Sequence, residues 1–206
     1  MRCVDKTVIL PAVGETVVDD TGATYKVTLS NITKGTVTFI APKQGAKGTI
    51  KIPNTVDLNG VTYKVTSIAK NAFKGKTSVT KVTMGSNIVT IGANAFHGCK
   101  NLKSVTIGKG VTTIGGNAFY KCTKLTKITI PSKVKKIEKK AFYGCKSLKT
   151  ITVNTMKLKK NSLGSKAFTG VNKKAKIKVP KSKVKVYKKL FTTKVGFKKT
   201  MTITKK

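Results

Sequence analysis

IGANAFHGCKNLKSVTIGKGVTT (91–113) runs straight into IGGNAFYKCTKLTKITIPSKVKK (114–136), and the two stretches align residue for residue. The same phrase stands before them as IAKNAFKGKTSVTKVTMGSNIVT (68–90) and after them as IEKKAFYGCKSLKTITVN (137–154). The period is 23 residues; it stretches to 26 through NTMKLKKNS before LGSKAFTGV (163–171), then returns to 23 at VYKKLF (186–191). Self-similarity at a fixed period of this length predicts a solenoid, in which each unit stacks on the next because one unit cannot bury its own apolar edge.

Aligned columns assign the positions. Ile68, Ile91, Ile114, Ile137, Leu163 and Val186 open the units. Ala72, Ala95, Ala118, Ala141, Ala167 and Leu190 follow, each beside a phenylalanine: Phe73, Phe96, Phe119, Phe142, Phe168 and Phe191. A small residue next to a ring in every coil predicts an interdigitated stack with the rings as its spine. Val82/Met84, Val105/Ile107, Ile128/Ile130 and Ile151/Val153 alternate with Thr or Lys, the period-2 signature of a half-buried strand. Each unit is therefore expected to be a short strand, a turn (Gly85, Gly108, Pro131) and a short helical or irregular Ala-Phe segment.

The open ends of such a stack need covering. GETVVDDTGATYKVTLS (14–30) and GTVTFIAP (35–42) predict strands, with turns at Asp20-Thr21-Gly22 and Lys34-Gly35. Thr49–Pro53 matches the strand of a degenerate first repeat, and Asn59-Gly60 between VDL and VTYKV signals a tight hairpin. At the other end SKVKVYKKLFTTK (182–194) has helical spacing at Val184, Tyr187, Leu190 and Phe191, closed by Gly196, and MTIT (201–204) is the expected last strand.

The pattern I-G-x-x-A-F-x-G-C-x-x-L-x-x-V-x-I, carried by Ile91–Ile107 and Ile114–Ile130, resembles the BspA-like (Treponema-type) leucine-rich repeats of bacterial surface proteins. The Lys- and Thr-rich form ending in KVPKSKVKVYKKLF (178–191) is similar to surface proteins of gut Firmicutes. The resemblance covers about residues 68–191. It implies a curved leucine-rich-repeat solenoid of α/β type, no catalysis, an extracellular or cell-surface location, and adhesion to host matrix proteins or cells. The expected division is an N-terminal β-hairpin cap with a degenerate first repeat (1–67), the repeats (68–185) and a C-terminal helical cap (186–206). Three positions depart from the pattern: Lys76 stands for Cys, Lys121 for the turn Gly and Glu138 for the second-position Gly. Lys76 predicts an imperfect first coil.

Composition narrows the chemistry. The 206 residues hold 43 basic side chains against six acids, a net +37, with one His and no Trp. All the bases but Arg2 are lysines. So few acids make most hydrolytic, metal and acid–base sites hard to assemble, and no enzyme and no cofactor are expected. Residues 58–206 carry every lysine of the repeats against one acid, Glu138. No apolar run is long enough to span a membrane, and the N-terminal MRCVDKTVILPAVGE lacks the form of a signal peptide. The chain is thus expected to be cytosolic or a piece of a longer exported one.

Cys99, Cys122 and Cys145 recur in one column with Val171, which predicts buried thiols rather than a metal or redox site. Cys3 is isolated and could crosslink chains. His97 shares a column with Lys74, Tyr120, Tyr143 and Thr169 and is expected in an exposed loop without a catalytic partner. Asp19-Asp20 could touch calcium, but a hairpin turn is the favoured expectation.

The lysines predict attraction to polyanions by counterion release. With one Arg and no interleaved aromatic platform, specific nucleic-acid recognition is not expected. A solvating, self-repelling coat around a monomer is the competing explanation. One face is more ordered: Thr83, Thr106, Thr129 and Thr152 recur outward on the strands, Lys103 and Lys149 recur three residues before Thr106 and Thr152, and Lys81 and Lys127 recur two before Thr83 and Thr129. These eight residues form the expected ligand face, its partner a host matrix protein or an anionic cell-wall or glycan polymer. The β-propensity of Thr is the alternative explanation of the ladder. A general polyanion binder and a purely structural stalk remain the other functional expectations.

Overall fold

The computed structural model describes residues 9–206. The chain enters through β1 (Thr16–Val18) and β2 (Thr24–Leu29), antiparallel with Val17 opposite Tyr25. Their turn is held by Asp19, whose Oδ1 accepts from the Thr21 N–H (3.0 Å), the Thr21 hydroxyl (2.7 Å) and the Ala23 N–H (2.9 Å). Short acidic side chains satisfy turn donors in this way, so this carboxylate is occupied by the hairpin. β3 (Thr36–Ala41) returns antiparallel to β2.

From there the chain winds. β4 (Gly48–Ile52) is followed by a hairpin of β5 (Thr55–Leu58) and β6 (Val61–Ile68), joined through Asn59 and Gly60 with φ of 56° and 79°. Positive φ at both turn residues matches the twist of the flanking strands, which is why Asn-Gly signals it. Each later coil pairs a longer strand with a two-residue one: β7 (Val79–Met84) with β8 (Thr90–Ile91), β9 (Ser104–Thr106) with β10 (Thr113–Ile114), and β11 (Lys127–Ile130) with β12 (Lys136–Ile137). β13 (Thr150–Val153) and β14 (Lys176–Val179) follow. Helix α1 (Val184–Leu190) and a final strand, β15 (Thr202–Lys205), complete the chain.

Seven strands, β4, β7, β9, β11, β13, β14 and β15, climb one side of the resulting β-solenoid. They pair in parallel, with Ile50 beside Val82 beside Val105, and Ile128 beside Ile151 beside Ile177 beside Ile203. On a second side the opening-column residues Ile68, Ile91, Ile114 and Ile137 pair in parallel, and Ile137 bridges to Leu163. That second ladder is not legible in two-residue strands, which show no alternation of their own.

The Ala-Phe segments are turns, and α1 is the one α-helix among the described residues. The α/β-type expectation is thereby corrected to a β-solenoid with little helix. Consecutive Ala-Phe turns bond directly: the Phe96 N–H donates to Ala118 C=O (2.7 Å) and the Phe119 N–H to Ala141 C=O (2.7 Å). Ladder bonds of this kind replace the bonds a helix would have made internally. The rings stack at 4.7–5.4 Å from Phe73 to Phe168, within 4° of parallel from Phe96 onward and 19° between Phe73 and Phe96. Phe39 from the cap continues the spine on Phe73 (5.4 Å), and Tyr25 ends it edge-on.

Two expectations need correction. The first coil is regular despite Lys76: the Phe73 N–H donates to Ala95 C=O (2.7 Å) and the Gly75 N–H to His97 C=O (2.8 Å), as in later coils. The last unit is not: Phe191 still stacks on Phe168 (5.6 Å, tilted 36°), but Val186 is 46% exposed and Leu190 half-buried. There the Phe168 N–H donates to Val195 C=O (2.8 Å), and Val195 is buried. A helix rises about 1.5 Å per residue, so α1 cannot hold the strand-and-turn register that fills the Ile and Ala columns.

Candidate interaction surface

Strand pleating sends alternate residues outward from the seven-strand side. One outward column reads Thr49, Lys81, Ser104, Lys127, Thr150, Lys176, Thr202; the next reads Lys51, Thr83, Thr106, Thr129, Thr152, Lys178, Thr204. Of the residues expected there, Lys81, Thr83, Thr106, Lys127, Thr129 and Thr152 lie on these strands, while Lys103 and Lys149 sit one residue before β9 and β13, exposed. The columns extend past the expected face at both ends, through Lys51 and through KIKV (176–179), whose alternation signals it.

The threonine ladder is two pairs and not a run of four. Thr83 pairs with Thr106 and Thr129 with Thr152, but no hydrogen-bonded ladder joins β9 to β11. In two other coils the residue after the strand supplies a rung, the Gly85 N–H donating to Ile52 C=O (2.9 Å) and the Asn154 N–H to Ile130 C=O (2.8 Å); the Gly108 N–H makes no such bond, yet β7 and β9 pair. Pro131 holds that column between them and has no N–H to give Ile107. A groove of 630 Å³ lies at this break, across the middle of the face. Val105 and Ile107 on its floor keep 8% and 7% of their surface exposed, whereas Val82 and Ile151 keep none.

A second ordered column lies over the Ala-Phe turns. His97 stacks on Tyr120 (4.7 Å, 6°) and Tyr120 on Tyr143 (5.0 Å, 6°), all half-buried. Lys121 Nζ lies 5.5 Å from the Tyr120 ring and Lys140 Nζ 5.9 Å from that of Tyr143. The expectation of an exposed His97 is corrected: a 23-residue coil brings aromatics of consecutive units to stacking distance, where their faces cover one another. Burial, reinforced by Lys74 and Lys121, pushes the imidazole of His97 below its usual value and favours the neutral ring.

Cys99, Cys122 and Cys145 are fully buried free thiols whose S–H groups donate to the carbonyls of Phe73, Phe96 and Phe119 at 3.0–3.1 Å. Burial pushes Cys99 and Cys145 up to about 12 and Cys122 well above its ordinary value. Raised folded-state values mean that the native state holds these protons more tightly. Their contribution to stability is whole below the ordinary thiol value near 9 and is lost as pH rises toward 12. In a Cys3→Ser background, a thiol reagent at about pH 8 is expected to label none of the three thiols natively and all three in denaturant. Rapid native labelling would contradict buried, protonated thiols. Cys3 lies outside the described residues.

Among the described residues no three His, Cys, Asp or Glu side chains gather as a metal site, and no helix is long and apolar enough to cross a membrane. One ion pair, Lys136 to Glu138 (3.2 Å), occurs among the described residues.

Comparisons with known proteins agree with this geometry. The family model described as "BspA type Leucine rich repeat region" matches residues 66–198 in six copies. No curated protein matches the chain. A leucine-rich repeat protein of T. pallidum has a similar structure (TM-score 0.59, 22% identity, covering 82% of this chain and 70% of that one). So does a leucine-rich cell surface protein of Faecalibacterium prausnitzii (TM-score 0.63, 24% identity, 80% of this chain). This chain spans 45% of the length of that protein. A leucine-rich repeat protein of Bacteroides capillosus is 29% identical over 67% of this chain and 97% of its own length (TM-score 0.57). With the repeat model matched over more than half its length, the chain belongs to the BspA-type leucine-rich repeat family.

Proposed function

We propose that this chain is a non-enzymatic interaction module of an extracellular or cell-surface protein, which binds a host or cell-wall macromolecule through the Thr/Lys strand face. The observation that carries this is the chemistry of the two outward columns. Across seven strands they hold Thr, Ser and Lys and not one acid. A solenoid presents such a surface as a rigid, extended array whose backbone is already ordered, which lowers the entropic cost of binding. The surface neighbours among bacterial repeat proteins support the location.

The test is a Lys81/Lys103/Lys127/Lys149→Thr variant against host matrix proteins and cell-wall polymers at about 150 mM and about 500 mM salt, conditions that differ clearly in screening length. Wild type is expected to hold one ligand at the higher salt and the variant to lose it. Equal binding by the two proteins would end the proposal. The scarcity of ion pairs among the lysines supports a second reading, diffuse capture of polyanions. That reading requires every polyanion to bind and all of them to release at the higher salt.

A further inference from the structure

We infer that the groove between β9 and β11 is a binding site for one or two units of an anionic saccharide, a pyranose bearing sulfate or carboxylate. The inference rests on the strand face as the interaction surface and adds the place on it and the class of ligand.

Three features of the groove converge on that chemistry. Its floor is apolar, made by the partly uncovered Val105 and Ile107 with Ile128, and suits the C–H face of a sugar ring. Its rim donates hydrogen bonds: the hydroxyls of Thr106, Thr129 and Ser132 line it with Asn154. The Asn154 Oδ1 already accepts from Lys206 Nζ (2.7 Å), which turns its amide N–H₂ into the group left for a ligand. Lys109 and Lys127 stand on the rim as cations, and no acid lines the groove. An apolar floor, hydroxyl and amide partners and two unneutralised cations match a ring with one apolar face, polar edges and an acidic substituent.

The groove is also distinct from the rest of the face. A recess of 590 Å³ at Lys149, Thr150 and Lys176 has no apolar residue in its lining, and one of 540 Å³ at Phe197, Met201 and Ile203 has a single lysine. Here the break between β9 and β11 leaves a recess of 630 Å³ with both an apolar floor and two lysines, within the size range of small-molecule sites. An acidic protein segment would meet the same lysines. It would not need the apolar floor or the recess, because it could lie along the closed ladder on either side.

The experiment is calorimetric titration of the full chain with a size-defined heparin hexasaccharide, an oligogalacturonate and a poly-glutamate peptide of matched charge. The two saccharides separate sulfate from carboxylate as the recognised acid. One saccharide is expected to bind at one site per chain, with the peptide roughly tenfold weaker or more. Lys109→Ala and Lys127→Ala are each expected to weaken it about tenfold, the scale of a charge-assisted hydrogen bond. Lys185→Ala, an exposed lysine of α1 outside the recess and the strand face, is expected to change it less than about twofold.

Several bound saccharides per chain, equal affinity for the peptide, or equal losses from Lys185→Ala and Lys127→Ala would overturn the groove as the site. Those outcomes leave the strand face intact as an interaction surface. Loss of matrix-protein binding in the four-lysine variant without any saccharide binding would retain the face and reject the groove. Since Lys109 and Lys127 are exposed, their variants are expected to melt like wild type.

Discussion

Phe119→Ala is expected to cost about 3–5 kcal/mol of folding stability, the range for deleting a buried ring that its surroundings cannot fill. The ring has no exposed surface and lies between Phe96 and Phe142, at 5.1 Å from each and within 4° of parallel. Its removal breaks two stacked pairs and leaves a void in the middle of the spine. The backbone resists collapse into that void, because the Phe119 N–H is bonded to Ala141 and the Phe119 carbonyl accepts the Cys145 thiol (3.1 Å). In a repeat protein each coil is stabilised by its neighbours, so a defect at the centre also weakens coupling between the two halves. Urea denaturation is expected to show both a lower midpoint and a broader transition. Phe191→Ala should cost less, since that ring is tilted by 36° against Phe168 and ends the parallel stack. A central loss below about 1.5 kcal/mol, or a terminal loss as large as the central one, would show that the rings do not act as a spine.

Tyr187→Phe is expected to destabilise the fold and Tyr63→Phe is not, although both remove one buried hydroxyl. The Tyr187 hydroxyl donates to Thr155 C=O (2.8 Å) and accepts from the Leu158 N–H (3.4 Å). It thereby ties α1 to the insert that lengthens one repeat to 26 residues. Thr155 is itself fully buried; its hydroxyl donates to Val134 C=O (2.6 Å) and accepts from the Lys157 N–H (3.0 Å). Without Tyr187 Oη the insert keeps buried polar groups with one partner fewer, at a cost of about 1–3 kcal/mol. The Tyr63 hydroxyl, by contrast, is buried with no hydrogen-bond partner among the described residues. Replacing an unpaired buried hydroxyl with hydrogen removes a desolvation penalty, so Tyr63→Phe should leave the melting temperature unchanged or raise it. Shifts of the same sign and size in both variants would contradict this account.

The groove shows why part of the surface escapes a sequence reading. Pro131 is legible as a turn residue, and its neighbours in the column, Gly85, Gly108 and Asn154, suit turns as well. That the ladder breaks beside it depends on bonds between coils, such as those of Gly85 to Ile52 and Asn154 to Ile130, whose partners lie 24 or more residues apart in the chain. The aromatic column was hidden for a related reason. His97, Tyr120 and Tyr143 read as variation at a loop position until the coil height places them in contact.

The repeat period, the buried columns, the Phe spine and the alternation of Thr and Lys on the strands were determined by the sequence itself. Each depends on which residues recur every 23 positions, and a stack of identical coils can bury one set of columns only. The tertiary structure decided the second ladder of two-residue strands, the slip of the last coil onto Val195, the break between β9 and β11 and the recess it opens. These features arise from hydrogen bonds between coils, where one residue's donor must meet a carbonyl fixed by another coil's path. No local pattern encodes whether that meeting occurs.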